Sequence, residues 1–393
     1  MEPYANYLIL IILSLVVISS HIFDIFSKLS KIPSVLLLLF TGVILRFIGS
    51  YFHFKIDLEK YLVLFGSIGL ILIVLEGAMD LKISREKLPV IGRAFSSALI
   101  ILLLSAGLVA FLIYSWVQCD VRNAVVNAIP IAVISSAIAI PTVRHLSSNI
   151  REFITYESIF SDILGIFLFN MVIQQSIFSF SAVAFSLANI PLVIIISLVT
   201  SWILAVLMNK IKIQVKFIFI LSVLILIYSL GKLLHLPALF LILIFGLLLS
   251  NSGLMEKIRF LKLIRIAGIE SDTEQFKLVI AEVTFLIRTF FFVIFGYMID
   301  VRNILNIDKL LLAGCILACL FAIRYIYLKI TLKVDILSTL FIAPRGLITI
   351  LLFYSIPEAF KLEFMEQGII FFVILVTSLL MMVGTLIYKD IKA

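Results

Sequence analysis

Long apolar runs, separated by short charged or Pro- and Gly-containing breaks, follow one another along almost the whole sequence. A helix that crosses a bilayer needs about 20 predominantly apolar residues. Of the 393 residues, 63% are hydrophobic and only 14% are charged, whereas about 25% of residues are charged in a soluble domain. A soluble fold of this size cannot cover so much apolar surface with polar side chains. The pattern excludes a soluble enzyme and a nucleic-acid-binding domain, and it predicts a polytopic all-α membrane protein.

The apolar runs predict about 13 transmembrane helices in a single transmembrane domain spanning residues 1–393, with no soluble domain. The first run, from Tyr7, has neither a basic leader nor a small-residue cleavage site, so we expect a retained helix rather than a signal peptide. The predicted helices cover residues 7–26, 32–50, 61–79, 91–116, 124–146, 153–176, 182–207, 216–231, 236–250, 276–298, 307–331, 336–356 and 367–387.

Lysine and arginine are distributed unequally between the loops that alternate across the membrane. Twenty of the 31 basic residues fall in one set of loops and eight in the opposite set. Because cytoplasmic loops carry the excess of Lys and Arg, we expect a multi-pass plasma (inner) membrane protein with its N-terminus outside and its C-terminus in the cytoplasm. The net charge of +8 is then explained by topology, with no nucleic-acid partner. The three remaining basic residues, Arg288, Arg324 and Arg345, lie within predicted helices.

An odd number of helices permits an inverted repeat. If the helix at approximately 182–207 is a linker, the segments 7–176 and 216–387 form two six-helix halves of opposite orientation, a common plan of secondary transporters. The matched helices 5 and 12 carry Pro141 and Pro344. Since proline removes a backbone hydrogen bond, these positions predict broken helices whose free carbonyls face ions. The alternative is an ordinary proline kink in each helix.

Two carboxylates lie in the predicted sixth helix, where an ionisable group is costly and indicates function. Asp162 is near the middle of the helix, and Glu157 precedes it by five residues, or about 140° around the helix. The two side chains therefore point in different directions and need different partners. Desolvation favours the protonated form of a carboxylate, so protons and monovalent cations can compete for Asp162. Ser161 and Ser158 supply neutral oxygens nearby; a structural ion pair with a buried arginine is the alternative for Asp162 and the favoured interpretation for Glu157.

The arginines inside the predicted helices need partners. Arg324 lies deep in helix 11, so we expect a carboxylate beside it. Arg345 follows Pro344 in the predicted break and is a candidate for facing a cavity, and Arg288 is a candidate for gating, for snorkelling or for pairing with Glu282. Cys119, Cys315 and Cys319 are an odd set of cysteines. Cys315 and Cys319 lie one helical turn apart in an apolar segment without His or acidic neighbours at metal-ligand spacing, so we interpret them as packing residues and expect no cofactor.

Four segments resemble, in order and spacing, motifs of the monovalent cation:proton antiporter superfamily, the sodium/proton exchangers. Leu70 to Lys82 is similar to the third helix of that family, and Tyr156 to Asp162 to its Glu-Ser/Gly-x-x-Asn-Asp signature. Phe290 to Asp300 is similar to its Phe-Phe-x-x-x-x-Gly helix, and Pro344-Arg345-Gly346 to the Arg-Gly motif of its second broken helix. Each motif is weak alone, but together they extend along nearly the whole chain.

The resemblance implies that Asp162 binds the cation and the proton, and that Glu157 and Arg324 form the structural ion pair of the electroneutral branch. It also implies that helices 5 and 12 are a crossed, unwound pair, and that the protein is a homodimer in which a dimer domain moves against a core domain. Ser161 departs from the family pattern, which has Asn or a second Asp at that position. The Thr-Asp-Pro motif of helix 5 is missing too, because no acidic residue occurs from 130 to 151.

One carboxylate therefore remains for a cation site, with Ser135, Ser136, Thr142 and backbone carbonyls as candidate neutral ligands. The leading hypothesis is electroneutral exchange of Na⁺, K⁺ or Li⁺ for H⁺ by alternating access. The alternative on the same fold is a cation channel or a gated K⁺ efflux pathway. A membrane-embedded enzyme is disfavoured, because the four His residues lie far apart and none belongs to a His-Glu-x-x-His run.

Overall fold

A computed structural model describes most of the chain. The described residues are 2–30, 32–51, 58–143, 146–174, 195–204, 206–207, 210–211, 215–233, 238–251, 269–299, 307–331 and 336–392. Within these ranges the regular structure is helical. Ten helical segments of the described chain are long and apolar enough to cross a membrane. The fold is thus that of the predicted all-α membrane protein.

The helices follow the apolar runs closely, because each run is both apolar and long enough to satisfy its own backbone hydrogen bonds in lipid. In chain order they are α1 (Glu2–Ser30), α2 (Ser34–Tyr51), α3 (Glu59–Asp80), α4 (Leu88–Val117), α5 (Val121–Ala132), α6 (Ser136–Val143), α7 (Ser148–Gln174), α8 (Ile195–Leu204), α9 (Lys216–Leu233), α10 (Ala238–Ser250), α11 (Ile269–Met298), α12 (Ile307–Thr331), α13 (Ile336–Phe341), α14 (Leu347–Tyr354) and α15 (Gln367–Lys392). Short 3₁₀ turns occur at Arg85–Lys87 and Glu358–Phe360.

Two predicted spans are interrupted. The span 124–146 consists of α5 and α6 with residues 133–135 between them, and the span 336–356 consists of α13 and α14 with residues 342–346 between them. Pro344 lies in the second interruption. The prediction that Pro141 marks the first break is wrong, because Pro141 lies inside α6 and the break precedes it. A proline near the end of a short helix leaves one carbonyl free without ending the helix.

The predicted linker 182–207 falls only partly within the described residues, which include the helix Ile195–Leu204. Residues 175–194 of this region lie outside the described ranges. The count of thirteen helices, the linker and the inverted repeat therefore remain predictions.

Helices α2 and α11 approach closely through two glycines. A Cβ atom on Gly42 would lie 2.2 Å from the Val293 carbonyl oxygen, and one on Gly296 would lie 2.2 Å from the Leu39 carbonyl oxygen. Small residues allow such close backbone contact in membranes, where van der Waals packing replaces the hydrophobic drive between helices. Helix α11 also packs on α3, so α2, α3 and α11 form one tightly packed layer.

The helix α7 is the element that positions the buried charges. It packs against α4, α5 and α6, and at Gly165 it leaves no room for a Cβ, which would lie 2.2 Å from a methyl carbon of Val133. The two interruptions also touch each other, since the Ser135 amide donates to the Pro344 carbonyl across 2.8 Å. Helix α7 thus runs directly beside the point where the two broken spans meet.

Candidate ion-binding site at the broken helices

Asp162 is a buried carboxylate in which one oxygen accepts hydrogen bonds and the other has no partner among the described residues. Its side chain is on α7 and the residue is 1% exposed. Oδ2 accepts hydrogen bonds from the Ser136 amide, at 3.2 Å, and from the Ser136 hydroxyl. Oδ1 is buried and has no hydrogen-bond partner among the described residues. Since Ser136 begins α6, the carboxylate satisfies an amide of the first turn, where donors have no partner within the helix.

The backbone of the first interruption is held by residues from α7 and from the second interruption. The Ile134 amide donates to the Ser161 hydroxyl oxygen at 2.9 Å. The serine next to Asp162 thus satisfies a backbone amide of the interruption. The Ser135 hydroxyl is buried and has no hydrogen-bond partner among the described residues. Gly346 packs against it, because a Cβ on Gly346 would lie 2.8 Å from the Ser135 Oγ. Two unpartnered oxygens, on Asp162 and Ser135, therefore occur at the broken helices.

Glu157 and Arg324 form a two-pronged ion pair, and both residues are almost fully buried. The Arg324 Nη1 lies 3.0 Å from Oε1 and Nη2 lies 2.8 Å from Oε2. The Ser97 hydroxyl on α4 also donates to Oε1, at 2.5 Å. Arg324 further donates to the carbonyls of Thr339, at 3.0 Å, and Ile342, at 3.3 Å. Because a bidentate, fully hydrogen-bonded pair resists separation, Glu157 is unavailable for an ion.

Arg345 lies in the second interruption but contacts the first broken span. Its Nε donates to the Ile131 carbonyl at 2.6 Å and its Nη1 to the Ala343 carbonyl at 2.9 Å. Its own amide donates to the Thr377 hydroxyl of α15 at 3.0 Å. Ile131 is in the last turn of α5, just as Thr339 is in the last turn of α13, so each half-helix ends against an arginine. A cation at a helix C-terminus is favourable because the carbonyls there lack partners.

A cavity of about 200 Å³ reaches the start of α6. Its lining includes Asp24 of α1, Glu76 and Asp80 of α3, Ser136, and Arg288 of α11. Asp80 pairs with Lys277 at 2.6 Å. The acidic lining attracts cations, and the cavity leads to the serine that holds Asp162. Glu76 and Asp80 thus both contribute to the wall of this cavity.

The structure does not bring every candidate residue to Asp162. The Thr142 hydroxyl donates to the Ile138 carbonyl at 2.8 Å, and the Ser158 hydroxyl donates to the Thr155 carbonyl at 3.2 Å, so each is bonded within its own helix. Arg345 is 3% exposed and does not line the 200 Å³ cavity. Arg288 does line it, and donates to the Ala137 carbonyl rather than to Glu282.

Two contributing residues were missed at the level of sequence. Ser97 and Thr377 lie in apolar helices and hold Glu157 and Arg345. A hydroxyl residue in an otherwise apolar helix is the only signal that points to them, and many such residues bond only their own helix. Among the described residues, no cluster of three or more His, Cys, Asp or Glu side chains is able to hold a resident metal ion.

Two interrupted helical spans that meet beside a buried carboxylate are typical of one class of protein, the secondary transporters. The chain matches the family of transmembrane sodium/hydrogen exchangers over residues 11–387, and it belongs to that family. A search of curated protein sequences finds no match.

Solved structures of one sodium/proton antiporter have the same fold. The structure at pH 8 of the sodium proton antiporter MjNhaP1 from Methanocaldococcus jannaschii is 20% identical to this chain, covers 98% of it and 100% of its own chain, and superposes with a TM-score of 0.73. A structure of the same antiporter from an electron-microscopy map is 21% identical, with coverage of 96% and 94% and a TM-score of 0.67. The all-α antiporter fold predicted from the resemblance is therefore confirmed, whereas the count of thirteen helices and the inverted repeat stay predictions.

Proposed function

We propose that this protein exchanges a monovalent cation for H⁺ by alternating access, with both ions competing for Asp162. Membership of the sodium/hydrogen exchanger family supports cation/proton antiport in general. The observation that supports Asp162 as the binding carboxylate is its buried Oδ1, which lacks a hydrogen-bond partner among the described residues. Burying an ionised carboxylate without a counter-charge is costly. A bound proton or a bound cation removes that cost, and only one of them fits at a time.

The proposed exchange is electroneutral, one cation for one proton. Of the two carboxylates buried on α7, Glu157 is held by Arg324 and Ser97, so Asp162 alone is left to switch. Each transport step then carries one positive charge on Asp162, whichever ion is bound. A cycle that moved net charge would gain or lose about 2.3 kcal/mol per 100 mV of membrane potential, and a one-for-one cycle would not.

Proteoliposomes that contain the purified protein and a pH-sensitive dye test the proposal. Addition of Li⁺, Na⁺ or K⁺ is expected to dissipate an imposed proton gradient, and the order of the three ions identifies the substrate. Asp162→Asn is expected to abolish the signal. Asp120→Asn is the matched control, since Asp120 is exposed between α4 and α5, and it should exchange at the wild-type rate. Normal exchange by Asp162→Asn would remove Asp162 from the mechanism.

Stoichiometry is tested in the same vesicles with the potential clamped by K⁺ and valinomycin, using Na⁺ or Li⁺ as substrate. Equal initial rates at 0 and −100 mV are the expected result. A rate that follows the potential would contradict one-for-one exchange, and ionic currents far above carrier turnover would instead indicate a channel.

The proposal also includes assembly and topology. By family membership we propose a homodimer in the plasma (inner) membrane, with the N-terminus outside and the C-terminus in the cytoplasm, as the distribution of basic residues predicts. In that orientation the cavity next to Asp80 opens towards the cytoplasm.

A further inference from the structure

Arg288 lies in the wall of the cavity, close to the proposed ion site. It is on α11 and lines the 200 Å³ cavity together with Asp24, Ser136 and Pro141. Its Nη1 donates to the Ala137 carbonyl at 3.3 Å. Ala137 directly follows Ser136, whose amide and hydroxyl hold Asp162. A cation that enters from this cavity reaches the Ala137 carbonyl next to the group that binds Asp162.

The Ala137 carbonyl is available because of Pro141. In an uninterrupted helix this carbonyl would accept from the amide of the residue four positions later, and proline has no amide hydrogen. A carbonyl freed inside a membrane helix has to be satisfied by another donor or by an ion. The role of Pro141 is thus to expose an oxygen in the cavity wall, rather than to break the helix as the sequence indicated.

The contact of Arg288 with this oxygen is a weak one. A donor–acceptor distance of 3.3 Å is at the long end for an N–H···O bond. In the same conformation the guanidinium lies 5.9 Å from the ring centre of Phe285 on the same helix, a cation–π contact that does not depend on the Ala137 carbonyl. The acidic side chains of Asp24, Glu76 and Asp80 line the same cavity, and Asp80 is paired with Lys277. The positive charge of Arg288 can therefore leave the carbonyl without leaving the cavity.

We propose that Arg288 is a built-in competitor: its guanidinium occupies the Ala137 carbonyl when no cation is bound and yields it to the incoming cation. This deepens the proposed function and rests on it. Arg288 would set the apparent affinity for the cation, because each cation that binds must displace the hydrogen bond from Arg288 to Ala137 and approach the positive charge of the guanidinium, which stays in the cavity.

The test compares cation half-saturation (KM) at fixed pH in proteoliposomes. Arg288→Gln should lower KM about tenfold, since a hydrogen bond to a charged group no longer has to be displaced, with Vmax largely kept. Arg288→Lys retains the charge and should stay close to the wild-type KM. Arg46→Gln is the matched control, because Arg46 donates to the Met298 carbonyl at the other end of α11, and its KM should not change.

An unchanged or increased KM in Arg288→Gln, with Vmax alone reduced, would show a purely structural role and overturn the proposal. Chromatographic elution and thermal midpoint in detergent establish that each variant is folded. Failure of the proposed function gives a different result from failure of the Arg288 proposal, because in that case the wild-type protein itself shows no cation-driven proton flux.

Discussion

Single buried residues in this protein differ in how completely their charge is neutralised. Glu157 has two bonds to Arg324 and one to Ser97, whereas among the described residues Asp162 is bonded by Ser136 alone and one of its oxygens has no partner. Both carboxylates are on α7, one and a half turns apart. The same burial thus produces a structural ion pair at one position and, at the other, the carboxylate that we propose as the ion-binding group.

Removing one partner of the rigid pair should be costly. Glu157→Gln leaves the Arg324 charge buried and unpaired, and breaking such a pair destabilises by about 3–5 kcal/mol. We expect a strongly lowered thermal midpoint in detergent micelles, measured by the unfolding of the purified protein. Glu152→Gln is the matched change on the same helix, since its pair with Lys87 is partly exposed and is worth about 0–1 kcal/mol. Equal midpoints for the two variants would contradict a structural role for the buried pair.

At the scale of helices, packing rather than charge determines how the layer around α11 is built. The backbones of α2 and α11 meet at Gly42 and Gly296, where an added methyl group would collide with backbone oxygens. Backbone atoms cannot rotate away as side chains do, so the two helices have to separate. The broken helices are different: their ends are held by arginines and by the Ser135–Pro344 bond.

Gly42→Ala is expected to destabilise the protein, because overpacking in a closely packed contact costs about 1–3 kcal/mol. The thermal midpoint in micelles measures the effect. Gly107→Ala on α4 is the control, since a Cβ there meets nothing within 4 Å, and alanine has the better helix propensity. A Gly42→Ala protein as stable as Gly107→Ala would show that α2 and α11 do not pack this closely.

At the scale of the whole molecule, the topology proposed from charge places Cys119 outside the membrane, between α4 and α5. Cys119 is a half-buried free thiol. A membrane-impermeant maleimide should label it in intact cells. Ser84→Cys in a Cys119→Ser background should be labelled only after permeabilisation, because Ser84 lies in a predicted cytoplasmic loop. The reverse pattern would invert the topology.

The labelling should also depend on pH in a defined direction. Burial raises the pKa of the Cys119 thiol above its ordinary value. Since the thiolate is the reactive form, the rate of labelling should be low at neutral pH and increase as the pH rises through the alkaline range. A rate that stops rising at or below about pH 8.5, the ordinary thiol pKa, would contradict a pKa raised by burial.

The sequence alone determined the membrane class, the approximate positions of most helices among the described residues, and the short set of charges within those helices. These follow from local hydropathy and from the cost of burying a charge, which act on each segment independently of its neighbours. Tertiary structure decided the rest: that the first break precedes Pro141, that Ser97 and Thr377 hold Glu157 and Arg345, and that Arg288 contacts Ala137. The contacts of Ser97, Thr377 and Arg288 join residues from 32 to 151 positions apart. A helix pattern contains no information on which groups of distant helices will meet.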